Sequence, residues 1–256
     1  MSVDPTIERI MRELRSRGFD LCGVASTQLH DVEVARPHRL GSSDGEDRLV
    51  IVVGHSRGWW RGCLDQLESD PALLDLRDPI EEVAQRMLGG ALLSSAAGEW
   101  LADGRWRVRY AHERFPPSMR RLAVQAGLAS FGPAGFGAHA RWGPWIAFRA
   151  AIVTHWPPPI LQTPTPGPCE GCSGPCGPAM KAAHQAFPIP VGATRLPQEG
   201  WRAYANARAT CPVGEDARYD PCQLEYHYTH APKVLRRAVD QRRRCASKKS
   251  KTRSSI

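Results

Sequence analysis

The stretch RLVIVVGHS, residues 48–56, is the clearest strand signal in the chain, and the other predicted elements are placed relative to it. Apolar residues run through it without polar alternation, which is typical of a strand that is buried on both faces. A second strong strand signal, WIAFRAAIVTHW, lies at 145–156. Weaker ones occur in GFDLCGVAS (18–26) and RWRVRYAH (105–112). We therefore expect a sheet within residues 1–156.

Helix signals surround these strands. The N-terminal helix places its apolar residues on one face: Ile7, Ile10, Met11 and Leu14. Residues 78–104 begin with an Asp cap and a proline, and predict a long helix that is interrupted at Gly89 and Gly90. Another helix is expected within 116–132. The mixture of strands and helices indicates an α+β body.

Length, cysteine content and the N-terminus narrow the class of protein. A chain of 256 residues can bury a core without disulfides. The N-terminus is charged and helical, and no run of about 18 apolar residues occurs, so we expect a cytoplasmic protein that makes no membrane contact. In a reducing compartment, eight cysteines are more typical of metal or redox chemistry than of a disulfide framework.

The net charge of +8 is concentrated at the C-terminus. Residues 236–256 hold nine Lys or Arg and one Asp, so their net charge is 9 − 1 = +8 and residues 1–235 are neutral. A polar, cationic segment of this kind is typical of a disordered, solvated tail. An arm for nucleic acid or an acidic partner is the alternative interpretation, and nucleic acid is expected to bind only through this tail.

The segment PCEGCSGPCGPAMKAA, residues 168–183, contains Cys169, Cys172 and Cys176 within eight positions. A bacterial ferredoxin cluster takes three local thiols and one distant cysteine that usually precedes proline. Cys211, which a proline follows, is the candidate for the distant ligand. The sequence therefore predicts one 4Fe-4S cluster held by these four thiolates.

The other sulfur-containing residues are interpreted differently. Met180 stands where the cysteine for a second cluster would be, and a thioether is a poor iron ligand, so only one cluster is expected. A four-cysteine zinc site is the open alternative, although the second closely spaced cysteine pair that is typical of structural zinc is missing. Cys22 and Cys63 are interpreted as buried small hydrophobic residues, Cys222 as a spare thiol and Cys245 as a free one.

A linker and a small appendix are expected after the sheet-bearing body. The segment PPPILQTPTPGP, residues 157–168, is rich in proline and threonine, which is typical of a linker. Residues 169–235 have few strand signals and are interpreted as a ferredoxin-like, cysteine-bearing appendix that packs back on the core. The predicted order is thus a core at 1–156, the linker, the appendix and the tail at 236–256.

Two groups of segments carry a family resemblance. RGFDLCGVAS (17–26) and LAVQAGLASFGPAGFGAHARWGPWIAFRAAIVTHW (122–156) resemble segments of the epoxyqueuosine reductase family, in which the second precedes a ferredoxin-type cluster module. RWGPWIAFRAAIV (141–153) and DARYDPCQLEYHY (216–228) are also similar to the cobalamin-processing, cyanocobalamin reductase-like proteins. The resemblance implies a nitroreductase-like α+β core, a mixed sheet flanked by helices, that holds a corrinoid.

The chain also departs from each family. GHSRGWWRGCLDQ (54–66) contains no Asp-Tyr-His segment of the kind that the epoxyqueuosine reductases carry, and FGPAGFG (131–137) replaces their Gly-Lys pair. The cobalamin-processing proteins, in turn, lack the cysteine cluster. These departures favour corrinoid redox chemistry over reduction of a modified tRNA base.

Residues 127–149 are predicted to form the wall of the corrinoid site. Glycines let the backbone approach a flat ligand closely, and aromatic rings cover an apolar macrocycle. The candidate residues are Gly132, Gly135, Phe136, Gly137, Trp142, Trp145 and Arg149, the last of which would meet a propionamide or phosphate. A glycine-rich turn with tryptophans in the core is the alternative interpretation.

The function predicted from these features is that of an iron-sulfur oxidoreductase that binds or reduces cobalamin and receives electrons from a donor protein. A low-potential cluster can supply the single electrons that cobalt chemistry needs. FMN is the alternative cofactor, because nitroreductase-like cores commonly hold it, and would make the protein an FMN-dependent reductase. A zinc-stabilised, non-enzymatic binding or adaptor protein is the alternative from another class. No catalytic residue is assigned.

Overall fold

The computed structural model of the chain describes residues 4–41, 45–95, 97–159, 167–190 and 199–253, with the backbone alone for 246–253. In this part of the chain, helices surround a four-stranded antiparallel sheet, which confirms the predicted α+β class. No helix among the described residues combines the length and apolar character needed to cross a bilayer. Residues 160–166 of the predicted linker lie outside the described ranges.

The described residues form six strands: β1 (Leu21–Ser26), β2 (Leu49–His55), β3 (Arg107–Tyr110), β4 (Ser130–Phe131), β5 (Gly137–Ala138) and β6 (Ala147–Val153). They also form ten α-helices: α1 (Pro5–Ser16), α2 (Thr27–Asp31), α3 (Trp59–Ser69), α4 (Pro79–Leu93), α5 (Ala97–Ala102), α6 (Met119–Gln125), α7 (Cys176–Ala186), α8 (Trp201–Ala209), α9 (Pro221–Thr229) and α10 (Pro232–Arg253).

The main sheet has the order β1-β2-β6-β3, and all its strand pairs are antiparallel. Every residue of β2 is buried, because helices cover both faces of the sheet. Ile51 and Val53 face the larger core, which α1, α3 and α4 share, whereas Val50 and Val52 face a smaller core against α6. This burial on both faces explains the unbroken apolar run of β2.

The Asp-Pro start predicted at residue 78 is present in α4, but the Asp78 side chain makes no cap hydrogen bond. Two other helices, α1 and α9, have such a bond. Asp4 Oδ1 accepts a hydrogen bond from the Thr6 amide at 2.7 Å at the start of α1, and Asp220 Oδ1 accepts one from the Gln223 amide at 2.9 Å at the start of α9. A proline occupies the first helical position in each case. In α1, the four predicted apolar residues are buried.

The helix α4 differs from its prediction, because it continues through Gly89 and Gly90 and ends at Leu93. A Cβ on Gly90 would lie 2.7 Å from a guanidinium nitrogen of Arg17. Gly90 therefore leaves room beside α4 for the flexible end of the Arg17 side chain. It does not mark a break, although glycine in a helix costs about 1 kcal/mol relative to alanine.

The predicted disordered tail differs most from the structure. Residues 236–253 continue α10, whose Val234, Leu235, Ala238 and Val239 are buried in the larger core. Arginines on α10 also pair with carboxylates of the body: Arg236 with Asp75, Arg237 with Glu225, Arg242 with Asp65 and Glu68, and Arg243 with Glu68. Burial of apolar side chains and ion pairs with the body together hold this part of α10 in place. Its composition alone had predicted a solvated segment.

Candidate functional site

Three cysteines lie on a loop that packs against the β4–β5 hairpin. A Cβ on Gly132, within the hairpin, would lie 2.8 Å from Cys169 Sγ, so only a glycine lets the thiol come this close. Cys172 follows in an exposed turn, where the Gly174 amide donates a hydrogen bond to its Sγ at 3.3 Å. Cys176 is the first residue of α7, and the positive end of a helix dipole favours an anionic thiolate there.

Cys211 reaches the same region from the loop that follows α8. The backbone of this loop packs directly against the backbone of the turn around Gly143. Gly143 and Gly214 both have positive φ, at 52° and 75°. A Cβ on Gly143 would fall 2.0 Å from the Val213 carbonyl oxygen, and one on Gly214 would fall 2.4 Å from the Trp142 backbone. The two glycines therefore allow the contact that places the Cys211 loop.

The four thiols are close enough to influence one another's ionisation. Burial raises the pKa of Cys211, the Val213 amide opposes this with a hydrogen bond, and the other three thiols raise it further. Burial also raises the pKa of Cys169, and Cys176 and Cys172 add to the effect. Among the described residues, however, no three Cys, His, Asp or Glu side chains are arranged to hold a metal ion. The structure therefore places the predicted ligands in one neighbourhood without showing a metal site.

The remaining cysteines lie elsewhere. Cys22 and Cys63 are buried in the larger core, where burial raises the pKa of Cys22 to about 12 and that of Cys63 further. Cys222 is buried in α9 with its Sγ 3.5 Å from Gln241 Oε1, and Cys245 is exposed. None of the four contributes to the thiol neighbourhood described above.

A cavity of about 570 Å³, here called the hairpin cavity, opens beside the same hairpin. Its volume lies in the range that is usual for small-molecule and cofactor sites. The β4–β5 segment supplies Phe131, Gly135, Phe136 and Gly137 to its wall. The rest of the wall includes Met119 and Arg120 of α6, Ala147 and Phe148 of β6, Arg208 of α8, and His227 and Tyr228 of α9.

Arg208 is the unusual member of this wall, because it is only 4% exposed. Its guanidinium donates hydrogen bonds to the carbonyl oxygens of Pro144 and Ile146, and no carboxylate among the described residues pairs with it. It also lies 4.9 Å from the ring centroid of Trp145 and 5.0 Å from that of Tyr219. Burying a charge without a counter-ion costs several kcal/mol, so this cation is a functional candidate.

The seven residues predicted for the corrinoid wall lie in different places in the structure. Gly135, Phe136 and Gly137 line the hairpin cavity, and Gly132 contacts Cys169. Trp142 lines an open groove beside α3, whereas Trp145 is 1% exposed and packs edge-to-face on Tyr219. The two tryptophans are thus not among the residues that line the cavity.

Arg149 has partners within the protein. Its Nε donates to His55 Nε2 at 3.0 Å, and its guanidinium pairs with Glu81. The charge that was expected to meet a ligand is therefore already neutralised by a carboxylate of α4. Arg208 is the buried cation of the hairpin cavity, whose wall also includes the exposed Arg120, and no pattern in the sequence distinguished it from the other arginines.

Three polar side chains of the α9 segment point into the interior. Gln223 and His227 lie in α9, and His230 is its C-cap residue. In the structure all three line a small enclosed cavity, and His227 also lines the hairpin cavity. Burial lowers the pKa of His227 well below its usual value, and Arg208 and Arg149 lower it further, so the ring is neutral.

Comparisons with known proteins agree with this architecture. No protein-family model and no curated protein sequence matches the chain. Among solved structures, the B12-trafficking protein CblC of C. elegans, a homologue of human MMACHC, aligns with 90% of this chain and 96% of its own, with a TM-score of 0.58 and 14% identity.

Two epoxyqueuosine reductases are also similar. The Bacillus subtilis enzyme aligns with 90% of this chain and 70% of its own, with a TM-score of 0.52 and 12% identity. The Streptococcus thermophilus enzyme aligns with 93% and 80%, with a TM-score of 0.51 and 11% identity. The resemblance that the sequence motifs indicated is thus confirmed at the level of the fold.

Proposed function

We propose that this protein is a corrinoid-binding oxidoreductase that holds one 4Fe-4S cluster and receives electrons from a separate donor protein. Support for the corrinoid comes from the shared fold with a B12-trafficking protein, and support for a reductase role from the shared fold with epoxyqueuosine reductases. The proposed cluster ligands are Cys169, Cys172, Cys176 and Cys211.

The observation that carries the proposal is the position of the β4–β5 hairpin. On one side, Gly132 contacts Cys169; on the other, Gly135, Phe136 and Gly137 line the hairpin cavity. A single hairpin therefore separates the candidate ligands from the candidate corrinoid site. A cluster bound at the thiols would supply single electrons to a ligand in the cavity over a short distance.

The donor set is suited to such a cluster. Four thiols from two loops are the usual ligands, and the amides of Gly174 and Val213 donate hydrogen bonds to Cys172 and Cys211. Hydrogen bonds to sulfur are among the factors that set cluster potential. Zinc accepts the same thiolates, so metal identity has to be measured.

The cavity wall suits a large, mainly apolar ligand with polar substituents. Phe131, Phe136 and Phe148 offer apolar faces, and the glycines at 135 and 137 let a ligand approach the backbone. Arg208 offers the charged hydrogen-bond donor that we had assigned to Arg149. In the proposed complex, these residues orient the ligand and exclude water from it.

The first test is metal content. Protein prepared and reconstituted without oxygen is expected to be brown and to contain about four iron atoms per chain, from the stoichiometry of the cluster. One zinc per chain and no iron under the same conditions would overturn the cluster and favour the zinc-stabilised adaptor.

The second test is corrinoid binding, followed by visible spectroscopy. Cobalamin added to the protein is expected to shift toward the base-off form. Phe136→Ala should weaken binding by about 1 to 3 kcal/mol, the value of burying a large apolar side chain. Trp142→Ala, in the same segment but outside the cavity, should leave binding unchanged. An unaltered cobalamin spectrum together with one copurified FMN per chain would instead indicate the flavin-dependent reductase.

A further inference from the structure

A second cavity, here called the polar cavity, lies in the interior beside the hairpin cavity. Its volume is about 40 Å³, and its wall includes Trp59 of α3, Arg149 of β6 and three residues near or in α9: Tyr219, Gln223 and His227. A space of this size holds about three water molecules or one ligand of one to three heavy atoms. The residues that line it include no Asp or Glu.

Three buried polar atoms on this wall have no hydrogen-bond partner among the described residues: Trp59 Nε1, Tyr219 Oη and Gln223 Oε1. Their residues are 1%, 6% and 5% exposed. The Arg208 guanidinium lies 5.0 Å from the Tyr219 ring centroid and can only donate to the hydroxyl oxygen, so the hydroxyl proton has no acceptor among the described residues. Native proteins rarely leave such groups unsatisfied, so a molecule in the cavity is their expected partner.

The charges around the cavity do not balance. Arg149 lines the cavity and pairs with Glu81, whereas Arg208 lies outside the wall, 5.0 Å from the ring centroid of Tyr219, and pairs with no carboxylate among the described residues. Of the three histidines on the wall, His55 and His227 add no charge. Burial, with Arg149, lowers the pKa of His55 to about 3, and the pKa of His227 is also far below its usual value. Arg208 therefore keeps a buried positive charge that no carboxylate among the described residues neutralises.

The hydrogen-bonding groups favour an acceptor as the occupant. An indole N–H can only donate, and the guanidinium of Arg149 also only donates. The Tyr219 hydroxyl can donate as well, and the Gln223 side chain presents its NH₂ group to the cavity after a 180° rotation of its amide. Water would fill the space without supplying the missing charge.

We propose that the polar cavity binds one small monovalent anion of one to three heavy atoms, such as a halide or azide. The unpartnered donors of Trp59 and Tyr219 bind it, and the uncompensated charge of Arg208 balances it. Phosphate and organic acids are excluded by the volume of the cavity. The inference rests on these residues alone and does not depend on the proposed cluster or corrinoid.

The experiment is a thermal-unfolding titration of the full-length protein with bromide, in which gluconate replaces bromide at constant ionic strength. An ion that binds only the folded state raises the unfolding midpoint as its concentration rises. Bromide is expected to raise the midpoint progressively, and gluconate, which is too large for the cavity, is expected to leave it unchanged.

Matched variants locate the effect. Trp59→Phe and Tyr219→Phe each remove one donor and keep a ring, and each should weaken the apparent bromide affinity about 10-fold or more, the usual effect of losing a hydrogen bond to a charged group. Trp145→Phe is the control, because Trp145 Nε1 is also buried without a partner but does not line the cavity. It should change the bromide affinity less than about twofold, since it removes no donor to the anion.

Anomalous diffraction from wild-type crystals soaked in bromide gives a second readout that does not depend on how the variants fold. A bromide peak between Trp59 and Tyr219 supports the proposal. Equal midpoints in bromide and gluconate, a cavity that contains only water after soaking, or equal loss of affinity in Trp59→Phe and Trp145→Phe would each overturn it.

Discussion

Gly132 illustrates at the residue scale how the absence of a side chain can join two parts of a site. Its backbone lies against Cys169 on one side, and the neighbouring hairpin residues line the cavity on the other. The residue does not adopt a positive φ, so its requirement for glycine is steric. Any side chain at this position would displace the thiol or the hairpin.

Gly132→Ala is therefore expected to lower the iron content of anaerobically reconstituted protein by at least half. The added Cβ would lie 2.8 Å from Cys169 Sγ, closer than real Cβ contacts allow. Gly137→Ala in the same hairpin is the control, because its Cβ would meet only ordinary contacts, at 3.6 Å from Ala129 and 3.9 Å from Phe131. Full iron loading of Gly132→Ala would show that Cys169 is not a ligand.

Glu81 shows how a buried charge depends on its partner. It is 8% exposed and lies between Arg149 and His112, with His112 Nδ1 3.2 Å from Oε2. Burial raises the pKa of Glu81, but Arg149 and His112 outweigh this and lower the pKa to about 2. Because the pKa in the folded state lies below its ordinary value of 4.5, the ionised group stabilises the fold above pH 4.5. This contribution is lost as the pH falls from 4.5 toward 2.

Glu81→Gln is expected to destabilise the protein at pH 7 by about 3 kcal/mol, because it leaves Arg149 buried without a counter-ion. It should also flatten the dependence of the free energy of unfolding on pH between 4.5 and 2. Glu82→Gln is the control: Glu82 pairs with Arg86 at the surface, and losing that pair should cost less than about 1 kcal/mol. Denaturant titrations at several pH values measure both effects, and parallel pH profiles for wild type and Glu81→Gln would contradict the pairing.

At the scale of the element, strands and caps could be predicted because their signals are local. The apolar run of β2 and the Asp-Pro start of α4 depend on residues next to one another. The C-terminal part of α10 could not be predicted from composition, because its arginines are neutralised by carboxylates far away in the sequence. Its apolar stripe was present but was outweighed by nine Lys and Arg in the same segment.

The candidate site shows the same division. The grouped cysteines were recognisable because three of them fall within eight positions, and Cys211 because a proline follows it. Which arginine faces the cavity was not recognisable, since it depends on the contact between Arg149 and Glu81, 68 positions apart. Sequence spacing identifies groups that act together locally, but it does not show which charges are already paired.

The two segments that supply the cysteines can be tested by substituting one thiol in each. Cys172→Ala and Cys211→Ala are each expected to remove the visible absorption of the cluster, because each loop contributes an indispensable thiolate. Cys222→Ala is the matched control, since Cys222 lies in the larger core beside Gln241. Iron analysis and the visible spectrum measure the outcome, and equal losses at Cys211 and Cys222 would refute the ligand assignment.

For the whole molecule, part of the positive charge that the sequence analysis placed in a solvated tail is paired with carboxylates of the body. Four of the nine cations from 236 onward pair with carboxylates of the body, through α10. Residues 246–256 keep four Lys or Arg, at 248, 249, 251 and 253, and no acidic residue. Residues 246–256 therefore carry a charge of +4 by sequence.

Removing residues 246–256 is therefore expected to leave the unfolding midpoint and cofactor content unchanged while abolishing any salt-sensitive binding to nucleic acid. Four phosphate contacts predict that the logarithm of the association constant falls by about 3 to 4 per tenfold increase in salt, and this slope should vanish in the truncated protein. Removing 236–256 is the contrasting variant and should destabilise the fold, because it deletes the buried Ala238 and Val239 together with the ion pairs of Arg242. Fluorescence anisotropy with a labelled oligonucleotide, measured across salt concentrations, separates the outcomes. If the protein that ends at residue 245 kept both the affinity and the salt slope, the binding surface would lie on the body, and the end of α10 would not be a nucleic-acid arm.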